Sequence, residues 1–164
     1  MEKIDNKDLT VKIQNYKKGL KSDIENLIID HYTFENIKFE YTGLRKTVFE
    51  NCVFRSVIFC EVYVSESIFK KSIFMNCEFI NIDFGMSEVV FEDTIIYKTN
   101  FKKIDALSSS FVSTSFISCN FLYFDVSKNF FKNCRIIECN TSGLIYSPGD
   151  FNNSNIFIPE FRTA

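Results

Sequence analysis

The residues of this chain that could do chemistry are one histidine, six cysteines and a scatter of carboxylates. With a single imidazole, His31, no metal centre can be built on several histidines, and any Ser/His/Asp relay would have only His31 as its base. His31 follows Ile29 by two residues, at a polar position where a solvent-facing side chain is the simpler reading. No two cysteines are spaced C-x-x-C, which argues against a zinc site. Neither G-x-G-x-x-G nor G-x-x-x-x-G-K-[ST] occurs, and "GLKS" at Gly19 is too little to cradle a phosphate. No cofactor or metal is called for, and the chain reads as a protein that is not an enzyme.

The cysteines do share a spacing. Cys52, Cys77, Cys119 and Cys134 each stand two residues before a large apolar residue and Cys139 two before Thr141 at the same position of the frame, whereas Cys60 directly follows Phe59 and points outward. The large residues recur every five positions: Phe34, Phe39, Leu44, Phe49, Phe54, Phe59, Val64, Phe69, Phe74, Phe79 and Phe84. The frame then slips by two and resumes at Phe91, Ile96, Phe101, Ala106, Phe111, Phe116, Phe121, Val126, Phe131, Ile136, Thr141, Tyr146, Phe151, Ile156 and Phe161. Seventeen of the 20 phenylalanines lie on this frame. The residue two before is often small (Thr47, Ser67, Ser72, Thr94, Thr114), and the residue two after is often polar (Asn36, Asn51, Asn76, Asn81).

A period of five suits neither regular element. In a helix each step of five turns about 500°, so the apolar residues would smear around the axis. In a strand an odd step alternates faces. A chain that turns a corner every five residues buries all of them, with the large residue and the small one two before it pointing inward.

This pattern resembles the pentapeptide-repeat family, whose unit is A(D/N)LXX. The resemblance covers roughly residues 22–161, and "FENCVF", "MNCEF" and "ISCNF" are close to its Phe-rich form. It implies an all-β fold, a right-handed quadrilateral β-helix with four units per coil. On that fold residues 20 apart stack, about seven coils are expected, and the rod is about 34 Å long. Residues 1–21 are expected to form an N-terminal cap segment and 22–164 the β-helix, with a small bulge near 85–90. "GMSEVVF" reads either as one unit with two extra residues or as a unit followed by a truncated one. The bulge is preferred because Leu44, Val64, Ala106 and Val126 then share a column and Phe49, Phe69, Phe91, Phe111, Phe131 and Phe151 another. "LTVKIQNYKKG" alternates weakly, as a strand and turn would. "SDIENLIID" is open: Ser22 and Glu25 have the spacing of a helix capping box, yet Ile24 and Ile29 keep the five-residue frame. Thr141, "SPGD" and Pro159 suggest an irregular closure.

The formal net charge is −2, too small for a basic field, so direct nucleic-acid binding is not expected. No apolar run is long enough for a membrane span, and the N-terminus lacks a signal-peptide core. With no secretory signal the cysteines are expected to stay reduced, in a bacterial cytoplasmic protein.

Two surface features carry the functional expectations. Outward positions beside the Phe34–Phe54–Phe74–Ile96 column form an apolar stripe of Val53, Ile73, Met75, Ile95, Tyr97, Ile117, Ile137 and Phe157, with Val48, Ile68 and Val90 on the adjoining side. Such a patch marks an interface. Asp83, Asp105 and Asp125 form an acidic column on another side. The stripe points to a non-catalytic scaffold that binds a protein partner or itself, as in a homodimer. The more distant resemblance to the quinolone-resistance Qnr-type members implies another role, a DNA mimic acting on DNA gyrase or topoisomerase IV through the acidic column.

Overall fold

A computed structural model describes residues 1–19, 24–84, 88–107, 109–127, 130–146, 151 and 155–156. The five-residue period becomes a β-solenoid whose sides are strands of mostly three residues. The first face stacks Leu27–Asp30, Val48–Glu50, Ile68–Lys70, Val90–Glu92, Ser110–Val112 and Phe130–Lys132. The second stacks Thr33–Glu35, Val53–Arg55, Ile73–Met75, Ile95–Tyr97, Ser115–Ile117, Arg135–Ile137 and Asn155–Ile156. The third holds Lys38–Glu40, Ile58–Cys60 and the first halves of Glu78–Asp83 and Asn100–Asp105. These two longer strands run on into the fourth face, where Phe124–Asp125 and Leu144–Ile145 follow.

Every strand pairing is parallel, in a register of about 20 residues. Across the frame slip the offset is 22, with Phe69 against Phe91, Phe74 against Ile96 and Phe79 against Phe101. The described solenoid makes about six turns, with six of its strands on the first face and seven on the second; the seventh strand of the first sheet is Glu2–Lys3 from the N-terminal segment, paired with Leu27–Ile28. Gly85, "SPGD", Pro159 and Phe161 lie outside the described residues.

The corners explain the polar residue of each unit. Among the described residues nineteen non-glycine residues have φ between 47° and 60°, from Asn26 to Glu138, and they stand two after the inward residue. The left-handed conformation costs most L-residues about 1–2 kcal/mol, and Asn tolerates it best. Six of these corners are Asn: Asn26, Asn36, Asn51, Asn76, Asn81 and Asn133.

Inside, the phenylalanines stack in columns. Ring centroids of Phe34 and Phe54 are 4.8 Å apart, of Phe54 and Phe74 4.5 Å, and of Phe91 and Phe111 5.1 Å, with planes within 8°. Neighbouring columns meet edge to face, as Phe49 meets Phe54 at 70°. Offset stacks and edge-on contacts are the favoured aromatic geometries.

The small inward residues are hydrogen-bond donors. The hydroxyls of Thr47, Ser67, Ser72, Thr94 and Thr114 donate to the carbonyls of Ile24, Leu44, Phe49, Phe69 and Phe91 in the preceding coil. The thiols of Cys52, Cys77, Cys119, Cys134 and Cys139 make the same bond to Ile29, Phe54, Ile96, Phe111 and Phe116. These cysteines are therefore more than small hydrophobes: each donates to the carbonyl of an inward strand residue one coil back.

The fourth face packs differently. Its frame residues Ala106 and Val126 are small, and the volume moves to the inward position two before, where Ile104 and Phe124 are buried. Phe124 lies off the five-residue frame yet stacks on Phe101 at 4.9 Å and 6°. At Gly143 a Cβ would meet the Phe121 carbonyl oxygen at 2.4 Å, so adjacent coils approach there as only glycine allows.

The N-terminal segment corrects the strand-and-turn expectation, since Asn6–Lys17 is a helix, α1. Asp5 caps it, its carboxylate accepting from the backbone of Lys7 and Asp8 at 2.9 Å each. The run Leu9–Val11–Ile13 fits a strand by alternation, but only Leu9 and Ile13, four apart, are buried, while Val11 faces solvent. Tyr16 packs on Phe39 at 5.3 Å, and its hydroxyl accepts from the Glu40 amide at 2.7 Å. The helix thus covers the open end of the first coil, whose unpaired edge would otherwise be exposed. Glu25 lies outside any helix and Leu27–Asp30 is a strand, so the five-residue frame, not the capping box, governs there; Ser22 lies outside the described residues.

Lys103 is exposed at a left-handed corner with φ 56°. Lys103→Asn is expected to stabilise the fold by up to about 1 kcal/mol, because Asn adopts this conformation at lower cost. Chemical denaturation of the two proteins checks it; no gain would contradict the corner account.

Candidate interaction surface

The outward side chains of the second face form two columns. One runs Thr33, Val53, Ile73, Ile95, Ser115, Arg135; the other Glu35, Arg55, Met75, Tyr97, Ile117, Ile137. The register brings together Val53, Ile73, Met75, Ile95, Tyr97, Ile117 and Ile137 of the expected stripe. Phe157 lies outside the described residues. Ile95 and Ile137 are exposed at 44% and 40%, and the other five are half-buried by their strand neighbours. Val48, Ile68 and Val90 stack on the first face, also half-buried. Charge closes both ends of the stripe. At one end Arg55 Nη1 pairs with Glu35 Oε1 at 3.2 Å, and at the other stands exposed Arg135, in no ion pair among the described residues. Lys98 Nζ lies 5.1 Å from the Tyr97 ring centroid.

Asp83, Asp105 and Asp125 stand in register on the fourth face. Two of the three carboxylates are tied into local turns. Asp105 Oδ1 accepts from the Leu107 amide at 3.2 Å, and Asp125 Oδ1 from the Ser127 amide at 3.0 Å and the Ser127 hydroxyl at 2.5 Å. These are the local side-chain bonds that Asp makes in turns.

A surface cavity of about 410 Å³ on the same face is lined by Arg45, Glu61, Val62, Tyr63, Val64, Ser65, Asn81 and Asp83. Arg45 Nε pairs with Glu25 Oε1 at 3.0 Å, and its guanidinium carbon lies 5.8 Å from the Tyr63 ring centroid. No motif in the sequence marks this cluster; only the stacking of residues 20 apart assembles it.

His31 sits on a left-handed corner at φ 53°, with Nδ1 2.6 Å from Asp30 Oδ1 and its side chain 73% exposed. The Asn51 amide, donating to Asp30 Oδ1 at 3.0 Å, holds the Asp30 carboxyl below its usual range, with Lys3 and His31 adding to the effect against partial desolvation. Among the described residues no group of three or more His, Cys, Asp or Glu is placed to hold a metal ion. No described helix is long and apolar enough to cross a membrane.

Burial pushes the Cys52 thiol up to about 11 and raises Cys77 and Cys134 as well. Cys119 is raised by its bond to Cys139 and by burial, and the same bond holds the Cys139 thiol lower.

No family model matches the chain, and no curated protein matches it. Among solved structures it is similar to a trypsin-treated variant of QnrB1, a plasmid-mediated fluoroquinolone resistance protein. The identity is 20% over 94% of this chain and 75% of that chain, with a TM-score of 0.52. It is also similar to the pentapeptide repeat protein Rfr23 from the cyanobacterium Cyanothece 51142, at 6% identity over 89% of this chain and 97% of that chain, with a TM-score of 0.48. The structural neighbours are thus pentapeptide-repeat proteins and a Qnr protein, and identities this low speak to the fold alone.

Five of the six cysteines are buried and Cys60 is partly exposed. Since the thiolate is the reactive form, native protein is expected to react with a thiol reagent at one fast site, abolished by Cys60→Ser, and at the remaining sites only on unfolding. Fast labelling of a second thiol in the native state would contradict the burial described.

Proposed function

We propose that the protein is a non-catalytic repeat scaffold that engages a protein partner, or a second copy of itself, through the apolar stripe of its second face. The observation that carries this reading is the stacking, in strict register, of seven outward apolar residues in two adjoining columns. Strands favour β-branched residues on any face. Yet the outward columns of the neighbouring first face include Asp30, Glu50, Lys70, Glu92 and Lys132, as a solvated face would. The second face carries charge only at its ends. A contiguous apolar patch with a polar rim is the anatomy of an interface.

Met75→Lys combined with Ile117→Lys places charge in the stripe without touching the core. The double variant is expected to lose both self-association in solution and the capture of any protein partner by the immobilised chain, while keeping the wild-type melting temperature. An unchanged solution mass together with an unchanged set of captured proteins would remove the stripe as the interface.

A second reading has its own support. The Asp83–Asp105–Asp125 column repeats negative charge at the strand spacing, about 4.8 Å, and the fold is similar to that of QnrB1, a fluoroquinolone resistance protein. On this reading the chain acts on DNA gyrase or topoisomerase IV as a DNA mimic. A gyrase supercoiling assay with a fluoroquinolone, with and without the protein, tests it. Protection that is lost on Asp→Lys substitution along the column supports the mimic; protection that survives the substitutions, or no protection at all, excludes it in this form.

A further inference from the structure

We infer that the partner of the second face is a second copy of this chain, packed face to face with its rod axis reversed. The inference rests on the proposed role of the stripe and adds the identity and orientation of the partner. It follows from the order of side chains along four parallel columns. The two columns of the face are bordered by two corner columns. One of these runs His31, Asn51, Lys71, Asp93, Ser113, Asn133, and the other Asn36, Ser56, Asn76, Lys98, Ser118, Glu138.

A twofold axis along the strand direction, between the third and fourth strands of the face, sets its first six strands against those of the second copy in reverse order. The third coil then faces the fourth. Ile73 meets Ile95 of the second copy and Met75 meets Tyr97, each contact occurring twice. The most apolar part of the face therefore falls at the centre, where interface cores lie.

The same axis aligns the charges. Lys71 comes opposite Asp93 and Asp93 opposite Lys71, so the apolar centre is bordered by two symmetric pairs of opposite sign. Both residues are exposed, and neither makes an ion pair among the described residues. At the ends of the stripe the first strand of the face lies against the sixth, with Thr33 opposite Arg135 and Glu35 opposite Ile137. Opposite charges thus meet on the border of the apolar centre, the complementarity that sets register and orientation in an interface. Six coils at the strand spacing give a face about 24 Å long. The area is well below the roughly 800 Å² per partner of a standard interface, so the dimer is a weak and concentration-dependent one.

Sedimentation equilibrium of the full-length chain over a concentration series reads the dissociation constant. The wild type is expected to dimerise. Lys71→Glu and Asp93→Lys are each expected to weaken dimerisation about tenfold or more, and the double exchange, Lys71→Glu with Asp93→Lys, to recover most of the loss. The melting temperature confirms that every variant is folded. Recovery by the double exchange supports the reversed packing, since it restores opposite charges across the axis. A parallel side-by-side packing would instead set Asp93 opposite Lys98. Sensitivity to Lys98→Glu with indifference to Lys71→Glu therefore overturns the reversed orientation but leaves the stripe as the interface. Indifference to all of these charge changes, with dissociation still caused by Met75→Lys, also overturns it and spares the stripe. A wild type that stays monomeric throughout the series overturns self-association itself, and the stripe must then be judged on its capture of a different protein.

Discussion

The left-handed corner residue is the constraint on which the rest of this structure depends. With φ near 50° at every fifth residue over long stretches, the backbone turns after each short strand and returns above itself about 20 residues later. That return stacks identical positions on identical positions. Phenylalanine therefore meets phenylalanine at 4.5–5.6 Å along the columns, and inward hydroxyls and thiols such as that of Ser72 find a carbonyl one coil below. Remove the corner and neither the aromatic stacks nor the carbonyl bonds exist, because both join residues far apart in the chain.

Because this order is imposed by the backbone, the side chains can vary within it. Ser, Thr and Cys exchange freely at the inward donor position, since each presents one weak or strong donor to the same acceptor. Volume can also shift within a unit, as it does on the fourth face from Ala106 to Ile104 and from Val126 to Phe124. The outward positions are under no such restraint. An apolar stripe on the second face, with charge confined to its ends, is then a property of the surface that folding does not require.

The ends are where a solenoid is vulnerable, since every coil pairs only with its neighbours. Helix α1 covers the first coil with Leu9, Ile13 and Tyr16, and strand Glu2–Lys3 adds backbone pairing to the exposed edge. The acidic column serves partly the same architecture: Asp105 and Asp125 each bond the amide two residues on, holding the turn that leaves the fourth face. Such carboxylates cannot be read as surface charge alone.

The sequence by itself determined the solenoid, its period, the inward columns and the outward apolar stripe. It could do so because a five-residue frame writes each inward position as a local pattern, visible in one unit and repeated in the next. The offset across the slip was left open, since a unit with two extra residues and a unit followed by a truncated one both fit the local pattern, and only the pairing of Phe69 with Phe91 decides it. Helix α1 was not legible, because Leu9, Val11 and Ile13 suit a strand and a helix alike until the core of the first coil takes Leu9 and Ile13 together. Phe124 escaped the frame because its burial depends on the small Val126 beside it and on Phe101 one coil away. The thiol and hydroxyl bonds, the turn roles of Asp105 and Asp125, and the Arg45–Tyr63–Asp83 cavity were likewise decided only in three dimensions. Each joins groups about a coil apart or depends on backbone direction at a corner, and no local pattern of residue types encodes either.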